Sequence, residues 1–136
     1  IHSAAVSDFT FRKDTSVKLN SNNELGFIEY LSKTITSTPK IIQKIKEWRK
    51  KTYLVGFKFT VGKKYDELIK IAKDFSLKNN CDLMVANDKE IMERMGDHIA
   101  YFIDPTKDHV ISFVGKDEIA RGLIDHFRIL FSKKEN

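Results

Sequence analysis

Three segments of the chain set small or polar residues at the end of an apolar run, a pattern that lets a ligand come close to the backbone. The first is Ser3-Ala4-Ala5-Val6-Ser7-Asp8-Phe9. It reads as a buried strand that runs into a polar loop and carries the Asp8 carboxylate at its tip. Val55-Gly56-Phe57-Lys58 and Val85-Ala86-Asn87-Asp88 repeat the arrangement. In open α/β sheets ligands bind outside the carboxyl ends of the strands, so three such ends predict one site built from three loops. Phe57 can flank a base or a ribose, or it can belong to the core. Asn87-Asp88 can touch a ligand or cap a helix, and taken alone the cap has priority.

The lysines add a second kind of chemistry. A nucleoside triphosphate needs several positive groups converging on its phosphates. Lys18 sits in a polar loop beside Leu19, Lys58 follows the Gly56-Phe57 strand end, and Lys73 and Lys78 lie on a predicted helix. Singly, each reads equally well as a solvated surface lysine. His2, His98, His109 and His126 show no metal-ligand spacing among themselves or with Cys81. Cys81 reads as a small buried hydrophobe. No Gly-x-Ser-x-Gly, paired-cysteine or Walker-type loop is present. Arg49-Lys50-Lys51 ends a helix, where cations suit the dipole better than they make a nucleic-acid patch.

The elements that must position these residues follow from period and punctuation. Thr10 to Glu24 is polar and reads as a long loop of the kind that forms lids. Leu25 to Leu31 has the aromatic and β-branched content of a strand. Thr38-Pro39 opens a helix, with Thr38 as its N-cap and Ile41, Ile42, Ile45 and Trp48 on one apolar stripe. Tyr53 to Phe57 is a strand, and Gly62-Lys63 leads into a helix that buries Tyr65, Leu68, Ile69, Ala72 and Phe75 and ends at Asn79-Asn80. Asp82 to Ala86 is a short strand of the parallel type. Ile99–Ile103 and Val110–Val114 form an antiparallel hairpin, and Gly115-Lys116 opens a last helix with Ile119, Ala120, Leu123, Phe127 and Leu130 inside. The order predicts an α/β fold: a Rossmann-like, mainly parallel sheet with helices on both faces, plus the hairpin.

Bulk properties limit the classes. The chain has 136 residues, enough for one domain with a sizeable core, and 41% hydrophobic residues. A net charge of +5 suits a phosphate-bearing partner. A nucleic-acid role has little support beyond that charge, because no aromatic-basic stacking pattern is present. One cysteine excludes a disulfide framework and fits a reducing, cytoplasmic setting. No apolar run approaches the ~18 residues of a membrane span. Ile1 is not a methionine and falls inside a predicted strand, so the chain is expected to be the C-terminal piece of something longer.

Together these segments resemble the phosphopantothenate–cysteine ligase family. Ala4-Ala5-Val6-Ser7-Asp8-Phe9 resembles its Ala-Ala-Val-(Ala/Ser)-Asp-(Tyr/Phe) segment, and Lys18-Leu19 its flap lysine. Thr38-Pro39-Lys40-Ile41-Ile42 resembles its Thr-Pro helix start, and Val55-Gly56-Phe57 its Val-Gly-Phe strand end. Lys78, Asp82-Leu83 and Ala86-Asn87-Asp88 are similar to its Lys-x-x-x-Asp-(Leu/Ile)-x-x-Ala-Asn-Asp signature. The resemblance covers the second half of such an enzyme; the first half, with a glycine-rich segment and an essential asparagine, has no counterpart here.

What the resemblance implies is a ligase of coenzyme A biosynthesis that joins 4′-phosphopantothenate to cysteine through an acyl-nucleotide made from CTP or ATP. It implies Mg²⁺ beside the triphosphate, a homodimer, and no nucleic-acid or membrane partner. It assigns Lys18 to catalysis and Ala4, Ala5, Val6, Asp8, Phe57, Lys78 and Asn87 to the nucleotide. Residues 1–136 would be the C-terminal part of one nucleotide-binding ligase domain, with 10–37 as flap and dimerisation segment. The alternative is a Rossmann-like nucleotide- or flavin-binding module without ligase chemistry.

Overall fold

The computed structural model describes residues 7–12 and 23–132. They fall into two units, one within residues 1–44 and one within 45–136.

In the first unit, strand β1 (Phe9–Phe11) pairs antiparallel with β2 (Ile35–Ser37), with helix α1 (Glu24–Thr34) between them in sequence. The strand expected at Leu25–Leu31 is therefore a helix. Its apolar run fits either period, and the local signals decide. The Asn23 side chain accepts the Gly26 N–H at 3.0 Å as an N-cap. Glu24 and Lys33 suit the two ends of the dipole, and Lys33 pairs with Glu29 one turn back. The expected loop from Thr10 likewise begins as strand, since Thr10 and Phe11 belong to β1. Thr38 does not act as the cap expected of it. Its hydroxyl donates to the Ser7 carbonyl and its N–H to the Asp8 carbonyl, which ties the two ends of this unit together. Helix α2 (Ile41–Trp48) crosses the division between units. Ile42 and Ile45 are half-buried, whereas Ile41 and Trp48 of the predicted stripe are exposed.

The second unit continues with β3 (Val55–Thr60), α3 (Tyr65–Asn79), β4 (Leu83–Asp88), α4 (Lys89–Met95), β5 (Ile99–Ile103), β6 (Val110–Val114) and α5 (Lys116–Ser132). Its sheet runs β3-β4-β5-β6. The expected class is what this unit shows: an α/β sheet with helices on both faces and an antiparallel hairpin. The parallel share among the described strands is one pairing, β3 with β4; β4 with β5 and β5 with β6 are antiparallel. The hairpin lies where the sequence placed it.

Strand parity assigns the faces. Leu83 and Val85 share a face with Ala100 and Phe102, and Val55, Phe113, Ile119 and Leu123 pack against them, so α5 covers this side. Met84, Ala86, Tyr101 and Ile103 point the other way, toward α3, whose Tyr65 meets the Tyr101 ring edge-on at 5.2 Å. Leu68 and Ala72 are buried there. Gly56 makes the fit possible, since a Cβ on it would stand 2.6 Å from Met84 Cε and 2.9 Å from Cys81 Sγ.

The start of the sheet is fastened by Asp82. It accepts the Leu54 N–H at 2.7 Å and pairs with Lys46 at 2.6 Å. Asn80, at φ 53°, ends α3 in the left-handed region that asparagine tolerates.

Candidate functional site

The carboxyl ends of β3 and β4 lie side by side, because the pair is parallel and in register from Val55↔Leu83 to Thr60↔Asp88. Phe57 is on the α5 side of the sheet, the side of Val85. The strand runs three residues past the Phe57 end expected of it, so Phe59 falls on the same face, opposite Asn87 in register. Phe57 and Phe59 are 66% and 55% exposed, and the core reading of Phe57 is thereby set aside. Two exposed rings two residues apart along one strand form an apolar wall with one amide beside it. Asn87 is half-buried; its Nδ2 donates to the Met92 sulfur at 3.6 Å, a weak acceptor.

Asp88 is 1% exposed and is the N-cap of α4, so the cap reading of this residue holds. Its two carboxylate oxygens have different work. Oδ1 accepts the N–H groups of Glu90 at 2.9 Å and Ile91 at 3.4 Å. Oδ2 accepts the Thr60 hydroxyl at 2.8 Å and the Lys63 N–H at 3.0 Å. Burial alone would raise its pKa, but these donors outweigh burial and hold it below the usual carboxylate value. The loop after β3 is thus stitched to the end of β4. Gly62 sits at φ 71° in that loop and leaves room for Glu90 of α4; a Cβ there would stand 3.0 Å from Glu90 Oε1.

This loop also brings Lys63 and Lys64 to the Asn87 end of the sheet, and the Lys64 N–H is held by Glu67 Oε2 at 3.3 Å. The hairpin adds a third element. β5 runs antiparallel to β4, so the junction of β6 and α5, with Gly115 bonded to the His98 carbonyl at 2.7 Å, lies at this same end with Lys116. This end of the sheet therefore carries Phe59 and the Asn87 amide, with Phe57 two residues back along β3 on the same face, and the backbone of Lys63, Lys64 and Lys116 is held along the same edge.

Other candidates lie elsewhere. Lys78 is in the last turn of α3, which runs back toward the start of β4. At ~1.5 Å per residue it stands about 20 Å along the helix from the Lys63 loop. Within one chain it is at the opposite end of the sheet from Phe57 and Asn87. Lys58 points to the α3 side, its ammonium 5.1 Å from the centre of the Phe75 ring. Lys73 lines an open groove of about 420 Å³ between α3 and the hairpin turn, 3.8 Å from Asp108. Cys81 is buried as expected, and burial pushes its thiol up to about 11. Asp8 belongs to the first unit, before β1, and its convergence with Phe57 and Asn87 stays an expectation. Ala4, Ala5, Val6 and Lys18 lie outside the described residues.

The sequence reading missed Phe59, Thr60, Lys63 and Lys64. Continuing the alternation of Phe57 by one step would have found Phe59. Lys63 read only as part of a helix entry and Lys64 carried no reading, and only the Asp88 stitch shows where their loop is held.

Residues 1–130 match the family model of the DNA/pantothenate metabolism flavoprotein C-terminal domain. A coenzyme A biosynthesis bifunctional protein CoaBC from Thermococcus kodakarensis is 38% identical over 84 residues, which cover 62% of this chain and 19% of that protein. The protein of the same name from Methanocaldococcus jannaschii is 30% identical over 131 residues, covering 96% of this chain and 30% of that one. The chain thus spans less than a third of these relatives' length. Among solved structures, the DNA/pantothenate metabolism flavoprotein from Streptococcus pneumoniae superposes with a TM-score of 0.70 at 28% identity, covering 93% of this chain and 60% of that one.

Proposed function

The chain belongs to the DNA/pantothenate metabolism flavoprotein C-terminal domain family, and from that membership we propose that it is the nucleotide-using part of a ligase of coenzyme A biosynthesis, joining 4′-phosphopantothenate to cysteine. The observation that carries this reading is the family match across residues 1–130, a span that includes every motif from Ala4 to Asp88. The exposed Phe57 and Phe59 on the face of Asn87, with Lys63, Lys64 and Lys116 along the same sheet edge, support a nucleotide there.

The chemistry has two steps. A carboxylate oxygen of phosphopantothenate attacks the α-phosphorus of CTP or ATP; the bond to the β-phosphate bridging oxygen breaks, and pyrophosphate leaves. The amine of cysteine then attacks the acyl carbon, expels the nucleoside monophosphate and loses a proton, leaving an amide. In this scheme Phe57 flanks the base or ribose and Asn87 offers its amide. The resemblance assigns Ala4, Ala5, Val6 and Asp8 to the nucleotide as well. Lys18 closes over the phosphates, where a cation stabilises charge developing on the leaving group, and keeps water from the acyl-nucleotide. The resemblance also assigns Lys78 to the nucleotide, although within one chain it stands in the last turn of α3.

A homodimer is proposed from the family resemblance; within the expected dimerisation segment, α1 is a helix that exposes Leu25 and Ile28. Mg²⁺ would travel with the triphosphate. Among the described residues no three His, Cys, Asp or Glu side chains come together to hold a metal, so no step is assigned to one. No helix among them is long and apolar enough to cross a membrane, and the proposed setting is cytoplasmic.

The test is made on the full-length protein with phosphopantothenate, cysteine and CTP or ATP. Pyrophosphate release that needs phosphopantothenate, followed by phosphopantothenoylcysteine detected by mass spectrometry, is the expected result. Binding of FMN or NAD with no pyrophosphate release from either triphosphate would replace the ligase with the non-ligase module.

A further inference from the structure

We propose that Asp88 is a positioning residue for the nucleotide site: its two oxygens lock the elements on either side of Asn87, and so aim the Asn87 amide and the Lys63 loop at the bound nucleotide. The inference rests on the nucleotide reading above and adds to it a residue that contacts no substrate. Asp88 is buried at the tip of β4 and directly follows Asn87.

Each oxygen serves one neighbour. Oδ1 holds the first turn of α4 through Glu90 and Ile91. That helix carries Met92, whose sulfur receives the Asn87 Nδ2 donor. Oδ2 holds the other neighbour, the segment from Thr60 to Lys63, through the Thr60 hydroxyl and the Lys63 N–H. Gly62 of this segment passes close to Glu90 of α4, where an added Cβ would stand 3.0 Å from Glu90 Oε1. A carboxylate is required because four donors converge on it and none of its positions offers a proton. An ordinary N-cap needs only one oxygen. The second oxygen, spent on a loop from another strand, is what marks Asp88 as more than a cap.

This asymmetry supplies the test. Asp88→Asn keeps one carbonyl oxygen for the α4 cap and puts an NH₂ group where Lys63 N–H and Thr60 donate. The cap survives while the loop is released. Thr60→Val removes a single donor from the same oxygen, leaves the cap and the Lys63 bond intact, and keeps the question open to measurement if Asp88→Asn folds poorly.

In the full-length protein, nucleotide Kd is measured by calorimetry with CTP and ATP, and KM and kcat by pyrophosphate release. We expect Asp88→Asn to raise nucleotide Kd and KM about tenfold, as for loss of one net hydrogen bond, with kcat changed less than about threefold. Thr60→Val should move Kd in the same direction by a smaller factor. Amide hydrogen exchange at Lys63 should quicken in Asp88→Asn while Glu90 and Ile91 stay protected. If the wild type binds nucleotide and both folded variants bind it equally well, Asp88 is only structural and the positioning role is overturned. If the wild type binds neither CTP nor ATP, the nucleotide reading itself has failed, and the positioning role falls with it.

Discussion

Gly122 of α5 lies against the Phe113 ring, and replacing it with alanine sets two known effects against each other. A Cβ built at Gly122 would stand 2.6 Å from Phe113 Cζ and 2.8 Å from both Cε atoms. Ordinary contact begins near 3.4 Å, so something must move by close to 1 Å. The ring has little room to yield. It packs against Phe102 with centroids 4.7 Å apart and rests on the cluster of Leu83, Val85, Ala100 and Phe102. Overpacking of this kind costs about 1–3 kcal/mol. Alanine, however, is the better helix former by about 1 kcal/mol. The packing cost outweighs the helical gain, and Gly122→Ala should lose about 1–2 kcal/mol. Ile119 and Leu123 of α5 pack on the same cluster, so the helix cannot move off Phe113 without disturbing them. Urea unfolding followed by circular dichroism reads the change as a lower midpoint at constant slope. Phe113→Leu provides the control: in that background the clash is gone, and Gly122→Ala should become neutral or stabilising. A higher midpoint for Gly122→Ala in the wild-type background would refute the argument, because propensity would then have won over contact.

Other outcomes follow from single residues. Asp104 is pulled down to about 2; burial opposes the shift, but bonds from Lys107 and Thr106 prevail. A depressed carboxyl stabilises the fold above its unfolded pKa and loses that effect as pH falls through the folded value. Asp104→Asn should therefore lower Tm near pH 7, with the gap to wild type closing between about pH 4 and pH 2. Asp88 acts with the same sign, its folded pKa also being lowered. Cys81, buried with its thiol pushed up to about 11, should react with a thiol reagent at pH 8 only after unfolding; rapid labelling of the native protein would contradict its burial. Lys18→Gln should change stability by less than about 0.5 kcal/mol yet slow pyrophosphate release by about a hundred- to a thousand-fold. Near-normal release would retire the proposed flap role.

Local chemistry carried much of the fold in the sequence itself. The hairpin Ile99–Ile103 with Val110–Val114 was legible because two apolar runs flank Asp104-Pro105-Thr106-Lys107-Asp108, and turn residues of that kind admit few other structures. Helix α3 was legible because Leu68 and Ala72 recur at helical spacing and Asn80 accepts the left-handed conformation that ends it. The motifs from Ala4 to Asp88 were legible as a resemblance, and the family match over residues 1–130 agrees with them. Tertiary structure decided what neighbours alone could not. Leu25–Leu31 is not such a case, because the Asn23 cap and the Glu29–Lys33 pair that make it a helix are local signals. Lys58 and Phe57 are adjacent in sequence but on opposite faces of the sheet, so only one of them joins Asn87. Lys78 shares a signature with Asn87 yet stands at the other end of α3, because a helix of 15 residues carries the chain back along the sheet. Asp88 could be read as a cap from its position before Lys89, but its second oxygen reaches Thr60 and Lys63, more than twenty residues earlier in the chain. That bond exists only because β3 and β4 are parallel and in register, and register is set by packing across the whole sheet rather than by any one segment.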